Sequence, residues 1–282
     1  MIKNKIYIHF VIVLLIFFNC ILFVSCGKEN YNEKSYSYVI DDEIKYIDLE
    51  WNIGDIDIVS GDNFLIEEVS INKKGIAPLK YSINNQRLIV NYNDSKKKIK
   101  ITLNKNKEYN DFSINSIASN ITLNEINLQK FIVKEKKGVT NITSSSIDYV
   151  DIDITCQNDW ACVEIKNNIF NTFKFKMEKA YFISLYGNKF NYCALNITKS
   201  NLILSRNIFK NIIIKTTYAN INFFLYQDNG YNIKAFVNKI YIDFETININ
   251  NHYLIGNASC NITCYSLNGI LNIKRDNYKV SL

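Results

Sequence analysis

Proline, glycine and histidine are scarce in this sequence. Proline occurs once in 282 residues, at Pro78, glycine nine times and histidine twice. His9 lies in an N-terminal apolar run, so His252 is the one histidine outside it. One histidine with scattered cysteines does not build a zinc site, and no glycine-rich phosphate loop occurs. We therefore expect no metal and no other cofactor, and we interpret His252 as a loop residue.

Neither sign of charge dominates the chain. The 33 lysines and arginines and the 27 acidic residues give a formal net charge of +6, without a dense basic run. So small a surplus does not predict nucleic-acid binding. We interpret the cluster Lys96, Lys97 and Lys98 as a solvated turn.

Residues 1–25 have the features of a secretory signal. Two lysines precede an apolar run over residues 6–24, and a serine follows it directly before Cys26. This arrangement resembles the bacterial lipobox, although Phe23 stands where leucine is common. The resemblance implies cleavage before Cys26 and acylation of that cysteine, which would anchor the chain to a membrane. The alternative is an uncleaved transmembrane anchor.

The remaining chain divides into two predicted parts. Residues 26–38 are polar and predict a flexible tether between the lipid and the domain. Residues 39–282 predict one β-domain, because short alternating segments separated by polar turns continue to the end.

Two sets of alternating apolar segments return roughly every twenty residues between about residues 120 and 225. The first set begins at Asn120, Asn141, Cys162, Phe182, Asn201 and Asn220. The second has the form apolar-x-x-apolar-x-apolar and begins at Leu128, Ile147, Phe170, Tyr192 and Phe209. Period-two alternation rich in β-branched and aromatic residues predicts two short strands in each repeat.

A repeat of this size cannot bury its apolar face by itself, so neighbouring repeats must stack. We predict an all-β fold, a parallel β-helix or β-solenoid with coils of about 20 residues. The alternative is a leucine-rich repeat, which predicts helix or irregular chain in the second half of each repeat. The alternation continues in that half, which favours the β-helix. The side chains expected to face water include Thr122, Asp151, Asp153, Lys174 and Asn196.

Asparagine recurs at the start of several repeats, which suggests stacked amides at the bends. We predict that Asn120 and Asn141 stack. The triplets at Asn120, Asn141, Asn196 and Asn261 match a glycosylation pattern, but a bacterial lipoprotein does not normally use it. Asn268-Gly269 predicts a tight turn, after which the chain would cap the solenoid.

Several segments resemble the DUF4097 family of adhesin-like bacterial proteins. The similarity lies in Asp55–Asp62, Tyr81–Val90 and Lys98–Leu103, and in an ending at Ser266–Ile273. It covers about residues 44 to 274, although asparagine, serine or lysine replaces most of the family's serine-glycine turns. The resemblance implies a β-helical extracytoplasmic domain, often membrane-anchored, and it transfers no catalytic residue.

The cysteines and acids complete the candidate sites. Cys20 would leave with the signal, and five cysteines follow Cys26: Cys156, Cys162, Cys193, Cys260 and Cys264. Their odd number and irregular spacing do not predict a disulfide framework, although Cys156 with Cys162 or Cys260 with Cys264 could pair. Cys162, Cys193 and Cys264 fit a buried role in strands. Paired carboxylates occur at Asp41-Asp42, Asp55 and Asp57, Glu67-Glu68, and Asp151 and Asp153.

The sequence therefore predicts a non-enzymatic lipoprotein at the cell envelope, outside the cytoplasm, with a binding or scaffold role. The membrane would be a partner through Cys26, and the second partner would be a protein or a glycan. An envelope-stress accessory or signalling component is the alternative. A carbohydrate-active enzyme is a third reading, because such enzymes use carboxylates on β-helices.

Overall fold

The computed structural model describes residues 34–70, 79–92, 97–155, 161–226, 230–243, 245–247, 252–255 and 258–276. Contacts divide the chain into Met1–Asn32 and Glu33–Leu282, and every described residue belongs to the second unit. The described residues form strands, turns and bends without a helix, so the all-β prediction is confirmed. Within these ranges no helix is long and apolar enough to cross a bilayer.

The strands vary from three to nineteen residues, and the longest ones bend at their middle. They are β1 (Lys34–Val39), β2 (Tyr46–Gly61), β3 (Leu65–Ser70), β4 (Lys80–Asn84), β5 (Arg87–Tyr92), β6 (Lys97–Asn104), β7 (Asp111–Asn124), β8 (Asn127–Thr143), β9 (Ser146–Ile154), β10 (Cys162–Lys166), β11 (Ile169–Tyr186), β12 (Lys189–Ser205), β13 (Ile208–Tyr226), β14 (Gly230–Phe236), β15 (Lys239–Ile242), β16 (Glu245–Ile247), β17 (His252–Ile255), β18 (Ala258–Ser266) and β19 (Ile270–Asp276).

Most strands pair in parallel with a strand one repeat away. Val150 faces Phe131, 19 residues earlier, and Phe173, 23 residues later. Cys193 faces Phe173 and Ile212 in the same way. We call one such repeat a tier; its first arm and second arm are the two strand segments on either side of a bend. The second arm is strand in every one of these tiers, so the leucine-rich alternative is wrong for the described residues.

The order of tiers differs from the order of the chain at both ends. The stack runs β5–β6, β2, β7, β8, β9–β10, β11, β12, β13, β18–β19 and β14–β15. The chain places β2 inside the stack before it forms the outer tier β5–β6. At the other end it forms β14–β15 first and then inserts β18–β19 beneath them.

Antiparallel strands cover both outer tiers. Strand β4 pairs with β5, β3 pairs with β6, and β1 pairs with β3. At the opposite end β17 pairs with β14, and β16 pairs with β15. The prediction that the C-terminal strands after Asn268-Gly269 form the cap is therefore wrong, because β18 and β19 are the two arms of an inner tier. Asn268-Gly269 lies at the bend between those arms instead of closing a hairpin.

The predicted alignment of repeats is wrong by two residues at two places. Asn141 pairs with Thr122 and not with Asn120, which faces Val139. In the first arm Phe190, not Tyr192, aligns with Phe170 and Phe209. A shift by two leaves every side chain on the same face of the sheet, so the apolar pattern alone does not distinguish the two alignments.

Inward side chains form continuous columns through the tiers. Phe170, Phe190 and Phe209 stack with centroid separations of 5.4 and 5.1 Å. The outward residues expected to face water, such as Thr122 and Lys174, are half-buried or exposed. Alternation of apolar and polar residues thus separates the interior from the surface on both arms.

A ladder of buried asparagine amides lies at the bends between tiers, at positions other than those predicted. Asn188 accepts bonds from the backbone N–H and the Nδ2 of Asn168, at 3.0 and 2.9 Å. It donates from Nδ2 to the Ile165 carbonyl and to Asn207 Oδ1. Ser145 continues the ladder by donating its backbone N–H to Asn168 Oδ1. The predicted stack of Asn120 and Asn141 is wrong, because exposed Asn120 bonds to Asp55 at 2.9 Å.

Each ladder residue follows a residue with a left-handed backbone. These are Ser144, Asn167, Gly187 and Arg206, with φ between 51° and 67°. Their backbone N–H groups bond to the next tier, as in Asn167 to the Tyr186 carbonyl. The ladder therefore satisfies backbone groups that the tight bend takes out of the strand pairing.

A buried ion pair lies beneath the antiparallel cap. Lys97 Nζ is 3.0 Å from Glu68 Oε2, and the two side chains are 1% and 0% exposed. Glu68 Oε1 accepts from the Leu79 N–H and the Tyr38 hydroxyl. Burial, followed by the Glu68 charge, raises the pKa of Tyr38 to about 12. The predicted solvated lysine turn is thus wrong for Lys97, while Lys96 lies outside the described residues.

Three further expectations differ from the structure. Residues 34–38 of the predicted tether belong to β1, which pairs with β3 over its whole length. His252 begins strand β17 and is not a loop residue. Cys260 and Cys264 lie four residues apart on the extended strand β18, about 13 Å along it, which is too far for a disulfide. Cys193 and Cys264 are buried free thiols as expected, whereas Cys162 is half-buried.

Replacing Asn188 by alanine is expected to destabilise the protein strongly. The change leaves the Asn168 N–H and the Ile165 carbonyl without partners inside the fold, at about 1–3 kcal/mol each. We expect a loss of about 2–5 kcal/mol in guanidinium unfolding monitored by circular dichroism. Asn191→Ala is the matched control, because Asn191 makes an exposed amide bond to Asn171 and should cost less than about 0.5 kcal/mol. Equal midpoints for the two variants would contradict the role of the ladder.

Candidate functional site

A cleft of about 830 Å³ opens at the bends of the tiers formed by β2, β7, β8 and β9. Strands β2 and β7 pair through Trp51 and Ser116, and β7 and β8 pair through Ser116 and Glu135. These three residues therefore occupy one inward column that ends at the cleft. The lining residues are Glu50, Trp51, Asn52, Asn115, Ser116, Ile117, Lys134, Glu135, Lys136, Lys137, Asp153 and Thr155.

Glu135 is a carboxyl group on the interior side of its strand. It continues the inward series of Phe131 and Val133 and is only 3% exposed. Its Oε1 accepts from the Ser119 backbone N–H at 2.8 Å and from the Ser116 hydroxyl at 3.1 Å. Its Oε2 has no hydrogen-bond partner among the described residues. The side chain is thus held at one oxygen, and the other oxygen is buried without a partner.

The backbone at Gly138 makes room for this carboxyl group. Gly138 has a φ of +154°, and a Cβ there would lie 2.0 Å from the Ser119 carbonyl oxygen and 2.2 Å from Glu135 Oε1. No side chain fits that space, so glycine is required where β8 bends. The bend folds the second arm over the carboxyl group and explains its burial.

Burial raises the pKa of Glu135 to about 8. The bonds from the Ser119 N–H and the Ser116 hydroxyl lower it only in part. Thr140 lies close enough to lower it a little further, although its buried hydroxyl makes no hydrogen bond within 3.5 Å. Since no cation contacts the carboxyl group among the described residues, Glu135 carries its proton at neutral pH.

The charged side chains at the cleft differ in how they are paired. Glu50 accepts from Asn115 Nδ2 at 2.9 Å, and Asp153 is 3.3 Å from Lys176 Nζ. Lys134, Lys136 and Lys137 are exposed and have no carboxylate within 4.0 Å among the described residues. Glu50 and Asp153 are therefore each engaged at one oxygen, Asp153 Oδ1 is buried without a hydrogen-bond partner among the described residues, and the lysines have no ion pair with a described carboxylate.

A second unpaired polar atom lines the same cleft. Trp51 is 1% exposed, and its Nε1 has no hydrogen-bond partner among the described residues. The other side of the indole packs against Tyr92, with centroids 4.9 Å apart. An indole N–H only donates, so the cleft contains a donor at Trp51, which is separated from Glu135 by Ser116 on the intervening strand β7.

The acidic pairs singled out in the sequence do not gather at one place. Asp57 pairs with Lys98 at 2.8 Å, and Glu67 with Lys100 at 2.9 Å. Asp153 alone of these residues lines the cleft. Among the described residues no group of three or more histidines, cysteines and acids could hold a metal ion. Cys26 and Cys156 lie outside the described residues.

Neither Glu135 nor Trp51 was a candidate from the sequence. Only acids that lie within two residues of another acid were singled out there, and Glu135 has no such neighbour. The sequence does contain a signal for Glu135: in the alternating strand β8 this acid occupies a position where the pattern expects an apolar, inward-facing residue. The asparagines of the ladder carried no comparable signal, because their positions fall in the turns between the alternating segments.

Comparison with known proteins gives similarity at low identity. The sequence matches no family model and no curated protein. Among solved structures it is similar to a "putative cell adhesion protein" from Clostridium sporogenes, at 12% identity and a TM-score of 0.28, covering 87% of this chain and 100% of that one.

Two further structures are described as a "putative adhesin". The protein from Bacteroides fragilis shares 14% identity at a TM-score of 0.35, covering 87% of this chain and 98% of that one. The protein from Parabacteroides distasonis shares 10% identity at a TM-score of 0.37, covering 88% and 98%. Scores at this level support no inference about the role of the present chain.

The proton on Glu135 makes stability depend on pH in a definite direction. Its pKa of about 8 in the folded protein exceeds the ordinary value of 4.5, so the folded state binds the proton more tightly than the unfolded state. The resulting stabilisation is fully present below about pH 4.5 and is lost as the pH rises through about 8. Relative to Glu135→Gln, the wild type should lose on the order of 4 kcal/mol over that interval.

The measurement is urea unfolding of both proteins between pH 5 and pH 9. Glu108→Gln serves as the matched control, because Glu108 is exposed on a turn. Its difference from the wild type should not change with pH by more than a few tenths of a kcal/mol. Parallel pH profiles for wild type and Glu135→Gln would show that Glu135 is ionised in the folded protein.

Proposed function

We propose that this chain is a lipid-anchored protein outside the cytoplasm whose mature part is a parallel β-helix with an adhesin-like, non-enzymatic binding or scaffold role. The observation that carries the proposal is the lipobox-like cysteine at the end of the N-terminal apolar run. It stands eight residues before the first described strand, which begins at Lys34. A signal, a modified cysteine and a β-domain follow one another in the order that such a protein requires.

The register of the strands supports the β-helical part of the proposal. Along the first arm, Phe112, Phe131, Val150, Phe173 and Cys193 pair successively at intervals of 19 to 23 residues. The second arm repeats with the same partners, from β7 through β8, β10 and β11. Parallel pairing once per repeat on both arms is the pairing pattern that a solenoid requires, and it is the support for this part of the proposal.

The arrangement of the acids supports a binding role over a catalytic one. A glycoside-cleaving site uses two carboxyl groups that flank one bond. Glu135 lies on the inward side of β8, whereas Glu50 and Asp153 lie in the outward row that also contains Asn115 and Lys134. Among the residues that line the cleft, Glu135 therefore has no second carboxyl group on its own side of the sheet.

The surface expected of a glycan binder is present only in part. Phe236 and Tyr265 stack on β14 and β18 with their centroids 5.0 Å apart, and both are about half exposed. The two rings stack face to face, so each covers one face of the other.

Substituting Cys26 tests the anchor. In a bacterial host fed alkyne-labelled palmitate, we expect the wild type to carry the label and to enter the detergent phase of Triton X-114. Cys26→Ser should abolish both, because the acyl chains supply most of the membrane affinity. Cys20→Ser, within the apolar run, is the matched control and should keep the label. A labelled Cys26→Ser variant, or an unlabelled wild type, would refute the anchor.

A further inference from the structure

Buried polar atoms without a hydrogen-bond partner line the cleft at the bends of β2, β7, β8 and β9, and Asp153 Oδ1 is one of them. Trp51 Nε1 and Glu135 Oε2 are both buried and both lack a partner among the described residues. A buried polar group without a partner costs roughly 1–3 kcal/mol, so native proteins retain few of them. Two of them lining one cavity indicate a place that receives a polar ligand.

The charged residues around the cleft indicate the charge of that ligand. Lys134, Lys136 and Lys137 on β8 have no ion pair with a described carboxylate. Glu50 on β2 and Asp153 on β9 are already engaged by Asn115 and Lys176. A ligand entering the cleft therefore meets three ammonium groups without an ion pair, against two carboxylates that are each engaged at one oxygen, so the unpaired charge at the cleft is positive.

We propose that this cleft binds an oxyanion, a carboxylate or phosphate group, with Trp51 Nε1–H and the protonated Glu135 as donors and Lys134, Lys136 and Lys137 as counter-charges. The proposal goes beyond the anchoring role, because nothing in the lipid attachment requires a ligand. It assigns a recognition site to the outward-opening bends of the first tiers.

The oxyanion also explains why a neutral carboxyl group suits this position. An ionised Glu135 would repel the ligand, whereas the protonated form donates from Oε2 while Oε1 stays bonded to Ser119 and Ser116. The other charged groups that line the cleft are Glu50, Asp153 and the three lysines. With a pKa of about 8, the protonated fraction of Glu135 falls about tenfold between pH 7 and pH 9.

The test is calorimetric titration of the full protein at pH 7 and pH 9. The probes are an oligogalacturonate for carboxylate and glycerol 3-phosphate for phosphate, with a neutral galactose oligomer as the blank. We expect one or both anions to bind, and the neutral sugar not to bind. The affinity should be about tenfold weaker at pH 9, and the tighter probe identifies the source of the oxyanion.

Substitutions separate the site from general attraction to a basic protein. Lys136→Gln with Lys137→Gln should weaken binding at least tenfold, whereas Lys210→Gln, an exposed lysine on β13, should leave it unchanged. Glu135→Gln keeps a neutral donor, so it should bind at pH 7 and lose the pH dependence. The lysine variants decide the question alone if Glu135→Gln does not fold.

Three results would overturn the proposal: no binding of either anion, equal loss in the Lys210→Gln control, or an unchanged pH dependence in Glu135→Gln. None of them bears on the anchor, because palmitate labelling of Cys26 is measured independently. An unlabelled Cys26 would refute the anchor and would not change the result of the calorimetric titration.

Discussion

Backbone hydrogen bonds between successive tiers are the interaction on which the rest of this structure depends. In a parallel ladder each strand bonds to the tiers on either side, so no tier satisfies its own N–H and C=O groups. The outermost tiers would therefore present open edges. The chain avoids this by placing β2 and β18–β19 inside the stack and covering the outer tiers with antiparallel strands such as β4 and β17. At both ends of the stack the chain therefore reverses direction and pairs antiparallel with the outer tier.

Buried polar side chains fix the register that the apolar pattern leaves open. A slip by two residues keeps every apolar side chain inside, which is why Asn141 and Tyr192 were misaligned in the sequence. The same slip would separate Asn188 from the Asn168 N–H and the Ile165 carbonyl. A slip of β8 against β7 would also move Glu135 away from the Ser119 N–H and the Ser116 hydroxyl. Each polar contact stabilises one register over the registers shifted by two residues, which bury the same apolar side chains.

The fold class and the two-strand repeat were predictable from sequence because period-two alternation is a local property. Phe131, Val133 and Ile142 are buried where the alternation places them. The tier order was not predictable, since β18–β19 could pair with β13 or lie outside β14–β15 without any change in pattern. Glu135 and Lys97 were missed for a related reason: their burial depends on which tier covers them, and that is a property of the stack.

Glu68 and Glu135 show two answers to the same physical problem, a carboxyl group in an apolar interior. Leaving such a group ionised without a partner costs several kcal/mol. Glu68 has a lysine 3.0 Å away, with the Leu79 N–H and the Tyr38 hydroxyl on its other oxygen, so the pair is closed. Glu135 has donors on one oxygen and no cation, so it keeps its proton, and its second oxygen is buried without a partner at a cleft that three lysines also line. A closed pair stabilises an end of the fold, whereas an open neutral carboxyl group gains a partner only when something enters the cleft.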